Sequence, residues 1–160
     1  MGALSIHNVV LESEANGPGV RTVFWVQGCD LACVGCANPA THEAHDEQSM
    51  STQELLQMIS PAAQGVTISG GEPFQQPLDS LSEFVSACKD MGLSVVVFSG
   101  YDMDELVANN MKEGRVSLFN KLINDIDLLI AGRYMQELRV KELPLLSTSN
   151  QKWHFLSDRY

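Results

Sequence analysis

The sequence is short of basic residues. Lys and Arg number 10 against 20 Asp and Glu, a formal net charge of −10. That shortage argues against a protein that grips a nucleic-acid backbone, which needs clustered Lys and Arg. There is no apolar run of about 18 residues, so no membrane-spanning helix is expected. Met1 to Leu11 has neither a basic start nor a long apolar stretch, so it does not read as a signal peptide. Gly2 follows Met1, but Ile6 stands where a myristoylation signal needs Ser or Thr. A cytoplasmic protein without membrane or nucleic-acid partners is the expectation. Cysteine is scarce too: there are four, and Cys29, Cys33 and Cys36 fall within eight residues. Three clustered cysteines cannot pair off evenly, so a disulfide framework fits badly.

What is present is an ordinary globular mix, with 44% hydrophobic and 19% charged residues over 160 positions. That length suits one domain, 1–160, with a core over about 8–140 and a more polar tail over 141–160. The tail is expected to wrap the surface. Short β-rich runs alternate with amphipathic stretches. Val20 to Val26, Gly65 to Ser69, Leu93 to Phe98 and Ile126 to Ile130 read as strands, and Ile6 to Leu11 as an extended piece at an edge. Near-continuous apolar strands point to burial on both faces, the habit of a parallel sheet. Between them, Ser51-Thr52-Gln53-Glu54 has capping-box spacing before Leu55, Leu56, Met58 and Ile59, with Pro61 as the stop. Pro77 to Met91 carries Leu78, Leu81, Phe84, Val85 and Cys88 on one stripe and ends at Gly92. Asp102 opens a third helix and Val116 to Ile123 a fourth. Strand-then-helix order predicts an α/β fold built of βαβ units.

Gly28-Cys29-Asp30-Leu31-Ala32-Cys33-Val34-Gly35-Cys36 places C-x3-C-x2-C in a glycine-flanked loop directly after a predicted strand. Such a loop can fold its thiolates around one soft metal centre. Tetrahedral zinc would need a fourth ligand, for which His42 and His45 are near in sequence. An iron–sulfur cluster ordinarily takes four cysteines. The fourth here, Cys88, falls on the apolar stripe of a helix and reads as a small core hydrophobe. Three thiolates on a four-iron cluster would leave one iron open, a corner that invites a chelating substrate.

A second motif, Ser69-Gly70-Gly71-Glu72-Pro73, follows the second predicted strand. Paired glycines permit positive φ and close approach of backbone to a ligand, and Glu72 can pair with a buried ammonium group. A plain strand-exit turn has the same composition. Its place in the C-terminal loop of a parallel strand favours binding.

Together the cysteine loop and the Gly-Gly-Glu-Pro turn resemble the radical S-adenosylmethionine (SAM) superfamily. Asn16-Gly17-Pro18-Gly19-Val20-Arg21 is similar to the entry segment of glycyl-radical-enzyme activases. Ser99-Gly100-Tyr101 with Glu105-Leu106, Ala131-Gly132-Arg133-Tyr134 with Gln136-Glu137-Leu138, and Ser149-Asn150-Gln151 resemble segments of the activase of anaerobic (class III) ribonucleotide reductase. The likeness runs from about residue 8 to residue 152. Asn16 and Ala131 stand where that family has Asp, and Leu146-Ser147 where it often has Arg-Gly.

The resemblance implies a single-domain open partial (β/α) barrel with a mainly parallel sheet. It implies a [4Fe-4S] cluster on Cys29, Cys33 and Cys36 as the metal ligands, with SAM on the fourth iron. Gly70, Gly71 and Glu72 would hold the methionine moiety, with Glu72 facing its ammonium. Gly35, Cys36, Ala37 and Asn38 would line the adenosine, and Ser99 and Ile130, Ala131 and Gly132 the ribose side. The implied reaction splits SAM to a 5′-deoxyadenosyl radical that makes a glycyl radical on a partner enzyme, with flavodoxin or ferredoxin as electron donor. Two other readings stand beside it: a small radical enzyme acting on another peptide or small molecule, and a non-catalytic zinc module. Elsewhere, His42 and His45 read as residues of a solvated loop, His7 as a strand residue and Trp25 as core. Trp153 reads as either packing or a partner contact.

Overall fold

A computed structural model describes residues 2–44 and 48–160. His45, one of the two candidate zinc histidines, lies outside the described residues. The described residues form seven strands: β1 (Ala3–Ser13), β2 (Arg21–Val26), β3 (Ser49–Ser51), β4 (Gly65–Gly70), β5 (Ser94–Ser99), β6 (Leu128–Ala131) and β7 (Lys152–Phe155). They make one mixed sheet in the order β3-β1-β2-β4-β5-β6-β7. The centre, β2-β4-β5-β6, is parallel, while β1, β3 and β7 run antiparallel to their neighbours. The expected α/β fold with a mainly parallel sheet is therefore present.

The helices are α1 (Thr52–Gln57), α2 (Leu78–Asp90), α3 (Met103–Lys112) and α4 (Val116–Asp125). Ser51 and Glu54 form the expected capping box on α1, and Asp102 and Glu105 form a second one on α3. Each reciprocal pair satisfies main-chain donors that a helix start leaves orphaned. α2 ends where Gly92 adopts φ +80°, a conformation open to glycine at no steric cost.

Two faces of the sheet are buried in different ways. Leu55, Leu81, Phe84, Cys88, Leu106 and Leu122, drawn from all four helices, pack with Phe24, Ile68, Val95, Val97 and Leu129 in one apolar cluster. Phe24 meets Phe84 edge-on at 5.1 Å between ring centroids. The alternate strand residues Val96, Leu128 and Ile130 face the other way, where Leu143, Leu145, Leu146 and Trp153 cover them. So near-continuous apolar strands do reflect two-sided burial around β5 and β6.

The tail departs from expectation. Instead of only wrapping the surface, Lys152–Phe155 adds β7 to the sheet in register with β6, Ile130 opposite Trp153. The Trp153 ring packs against that inner cluster and its Nε1 donates to the carbonyl of Pro144 at 2.8 Å. Tyr160 reaches back so that its hydroxyl donates to Ser94 Oγ at 2.6 Å and lies 3.1 Å from Arg21 Nη1. β1 is also longer than expected: its first three residues pair with β3, and Ile6 to Ser13 pair with β2. Trp25, expected in the core, is only half-buried, because β2 turns Phe24 and Val26 to the helical side instead.

Candidate functional site

Four of the motifs singled out in the sequence lie at the same end of the sheet, whereas Asn16 to Val20 leads into the opposite end of β2. The cysteine loop follows β2, the Gly-Gly-Glu-Pro turn follows β4, Ser99-Gly100-Tyr101 ends β5, and Gly132-Arg133 follows β6. These are the carboxyl ends of the four parallel strands, where open α/β sheets bind ligands.

The cysteine loop is closed at its base by main-chain bonds. Gly28 N–H donates to the carbonyl of Thr41 at 2.7 Å and Cys29 N–H to that of His42 at 3.1 Å. Cys36 N–H donates to the carbonyl of Cys33, making the tight turn through Val34 and Gly35. Gly35 has φ +76°, and a Cβ there would come within 2.7 Å of the Gln136 side chain. Cys29, Cys33 and Cys36 are unpaired and half-buried, whereas Cys88 is fully buried. Burial pushes the Cys88 thiol up to about 12, consistent with its role as a core residue. Partial desolvation also raises Cys29, so a metal binding there must displace its proton. Three soft donors in one short, half-exposed loop fit an iron–sulfur cluster. Among the described residues, no three His, Cys, Asp or Glu side chains converge where a single ion could sit. A four-iron cluster presents separate corners, so its thiolates need not converge on one point.

The glycines of the second motif serve the packing of two loops. A Cβ on Gly70, φ +104°, would lie 2.6 Å from Val26 N, and a Cβ on Gly71 would lie 2.4 Å from the carbonyl oxygen of Gly28. Gly71 N–H donates to Val26 O, and Glu72 N–H to Gly28 O, both at 2.9 Å. The turn is thus zipped onto the base of the cysteine loop.

Glu72 is 1% exposed, and its carboxylate accepts three hydrogen bonds from donors of the chain itself. Oε1 accepts from Ser99 Oγ at 2.8 Å and Phe74 N–H at 3.0 Å, and Oε2 accepts from Gly100 N–H at 2.7 Å. Burial raises the carboxyl to about 7 against those bonds and the nearby Arg133 charge. Ser99, 5% exposed, spends its hydroxyl on this carboxylate. Ile130 and Ala131 are buried, so their side chains lie in the packed interior. Gly35, Ala37 and Asn38 are exposed on the outer lip of the cysteine loop. A cleft of about 620 Å3 opens beside that loop, with Gln27, Cys29, His42 and Gln75 in its wall. Gln75 bridges to Asp30 and, through Nε2, to the Tyr101 hydroxyl at 3.0 Å.

Sequence reasoning did not pick out Arg133, Gln136 or Gln75. Arg133 forks onto Glu105 at 3.0 and 3.1 Å, donates to the carbonyl of Gly100, and lies 5.2 Å from the Tyr101 ring centroid. The only signal was indirect: Arg133 and Gln136 sit inside segments that carried the resemblance.

A family model described as "4Fe-4S single cluster domain" matches residues 15–154. The chain is similar to the anaerobic ribonucleoside-triphosphate reductase-activating protein of Escherichia coli (strain K12), 29% identical over 150 residues, spanning 88% of this chain and 92% of that one. It is also similar to the pyruvate formate-lyase-activating enzyme of Clostridium pasteurianum, 33% identical over 99 residues, 58% of this chain and 41% of that one. Among solved structures, QueE from Escherichia coli superposes with a TM-score of 0.54 at 20% identity. That likeness covers 61% of this chain and about half, 53%, of the other, and it bears on the fold alone. Among the described residues no helix is long and apolar enough to cross a membrane.

Proposed function

This chain belongs to the 4Fe-4S single cluster domain family, and we propose that it is a radical SAM activase that generates a glycyl radical on a partner of the anaerobic ribonucleoside-triphosphate reductase kind. One observation carries the reading. The C-x3-C-x2-C loop and the Gly-Gly-Glu-Pro turn are hydrogen-bonded to each other at the ends of adjacent parallel strands.

Cys29, Cys33 and Cys36 would hold the cluster, and Gly70, Gly71 and Glu72 the methionine moiety beside it. Gly35, Cys36, Ala37 and Asn38 would flank the adenosine, with Ser99 and the 130–132 segment toward the ribose. When bound and reduced, the cluster and SAM together supply one-electron cleavage to methionine and a 5′-deoxyadenosyl radical. The chain's own task is to hold, orient and shield. Glu72 already accepts three hydrogen bonds, so it would act on the substrate ammonium through its charge and by fixing the turn. The sheet would serve as an open partial (β/α) barrel, with all four helices on one side. Trp25 and Ser69, half-buried on the less covered side, would lie near the path by which a partner's glycine approaches. A small electron carrier such as a flavodoxin or ferredoxin would provide the electron, in the cytoplasm.

The test begins with anaerobically purified protein. Roughly four irons with matching sulfide per chain are expected, and dithionite with SAM should yield 5′-deoxyadenosine and methionine. Zinc without iron or sulfide would overturn the reading and favour a zinc module.

A further inference from the structure

Gly100 is held from both sides. Its N–H donates to Glu72 Oε2 at 2.7 Å, and its carbonyl accepts from Arg133 Nη1 at 2.5 Å. A Cβ at this position would meet Leu31 of the cysteine loop at 2.5 Å and Glu72 Oε2 at 3.4 Å. Gly100 is therefore wedged between the two loops of the proposed site.

Arg133 is itself held by the C-terminal segment. Its main-chain carbonyl accepts from Asn150 Nδ2 at 2.8 Å and from Thr148 Oγ1 at 3.3 Å. The neighbouring Gly132 carbonyl accepts from Gln151 Nε2 at 3.2 Å. Gln151 Oε1 closes its own turn by accepting from the N–H groups of Ser147 and Thr148. Gly132, at φ +132°, brings the two segments close: a Cβ there would lie 3.1 Å from Gln151 Cα.

We propose that Arg133 is a positioning residue for the SAM site, and that the Thr148–Gln151 turn exists to hold Arg133 in place. The inference rests on the functional reading above. As a stability device the Arg133–Glu105 pair is weak, because both side chains are more than a third exposed. As a positioning device it is strong. The planar guanidinium fixes Glu105 with two donors and spends another direction on Gly100, a geometry that a point charge cannot copy. Glycine is the residue most free to rotate once one of its two clamps is lost. The Gly100 peptide would then move against Glu72, which connects through its own N–H to Gly28 and the base of the cysteine loop.

The experiment compares reconstituted wild-type protein with Arg133→Ala, Arg133→Lys and Asn150→Ala under anaerobic conditions. Iron content and thermal unfolding are measured first. SAM is then titrated while the electron paramagnetic resonance (EPR) spectrum of the reduced cluster is recorded. Arg133→Ala should keep its iron and midpoint yet need about tenfold more SAM to reach the SAM-bound spectrum, the loss expected for one charge-assisted hydrogen bond. Asn150→Ala should shift in the same direction, and Arg133→Lys should recover part of the loss. If Arg133→Ala failed to hold iron, the other two variants would carry the test, with weakened titration in both supporting the proposal. Wild-type titration in the iron-loaded variants overturns it. A wild-type protein without iron or without any response to SAM would instead strike the functional reading itself.

Discussion

Glu72 donates its main-chain N–H to the carbonyl of Gly28 at 2.9 Å. That bond joins two motifs that lie more than forty residues apart in sequence and makes their relative position a property of the backbone. Gly71 adds to it, since its missing side chain is what lets the turn approach Gly28. The glycines of the turn are thus needed for the contact between the loops before any ligand is considered.

Gly71→Ala tests that contact. The added methyl would lie 2.4 Å from a backbone oxygen, which no flexible side chain can yield to accommodate. Overpacking of this kind costs about 1–3 kcal/mol. Thermal unfolding should show a loss of that size, and the iron content after reconstitution should fall with it. Wild-type stability and iron content would mean that the two loops are not rigidly coupled.

Stability should depend on pH through Glu72. Its carboxyl is raised from 4.5 to about 7 in the folded chain, chiefly by burial. The folded state therefore holds the proton more tightly than the unfolded state between those values. The stabilisation from that proton is fully present below 4.5 and is lost as pH rises through about 7. It is on the order of 3 kcal/mol. Chemical denaturation of wild type and Glu72→Gln across this range isolates it: the wild type should lose ground against the variant as pH rises. A difference that stays constant with pH contradicts the burial-driven shift.

The cysteines divide into three and one, and substitution should show it. Cys88 is completely buried within the helical core, so Cys88→Ala should retain the cluster's visible absorbance at a cost of about 1 kcal/mol in stability. Cys33→Ala should abolish the absorbance. Equal loss in both variants would show that Cys88 is a ligand.

How much of this was legible in the sequence follows from which contacts are local. The cysteine spacing, the paired glycines and the Ser51–Glu54 capping box are short-range patterns, and each appears where the residues indicate. The central parallel strands were legible because Val95 to Val97 and Leu128 to Ile130 are apolar on both sides of the sheet. β7 was not, because Lys152-Trp153-His154-Phe155 alternates polar and aromatic residues in a polar tail, and only pairing with β6 makes it a strand. At the site, Glu72 could be singled out as a candidate from the Gly-Gly-Glu-Pro pattern. That it meets Ser99, Gly100 and, through Gly100, Arg133 depends on loops from three different strands, which no local pattern encodes.

The central claim is that this chain uses its cysteine-bound cluster to place a radical on a partner's glycine. The direct measurement mixes the reconstituted, reduced protein and SAM with a cognate anaerobic ribonucleoside-triphosphate reductase, without oxygen, and records an EPR spectrum. The account predicts the doublet of a glycyl radical on the reductase, formed only when SAM is present and absent when Cys33→Ala replaces the wild type. SAM cleavage without any glycyl doublet on a cognate reductase would contradict it and point to another substrate.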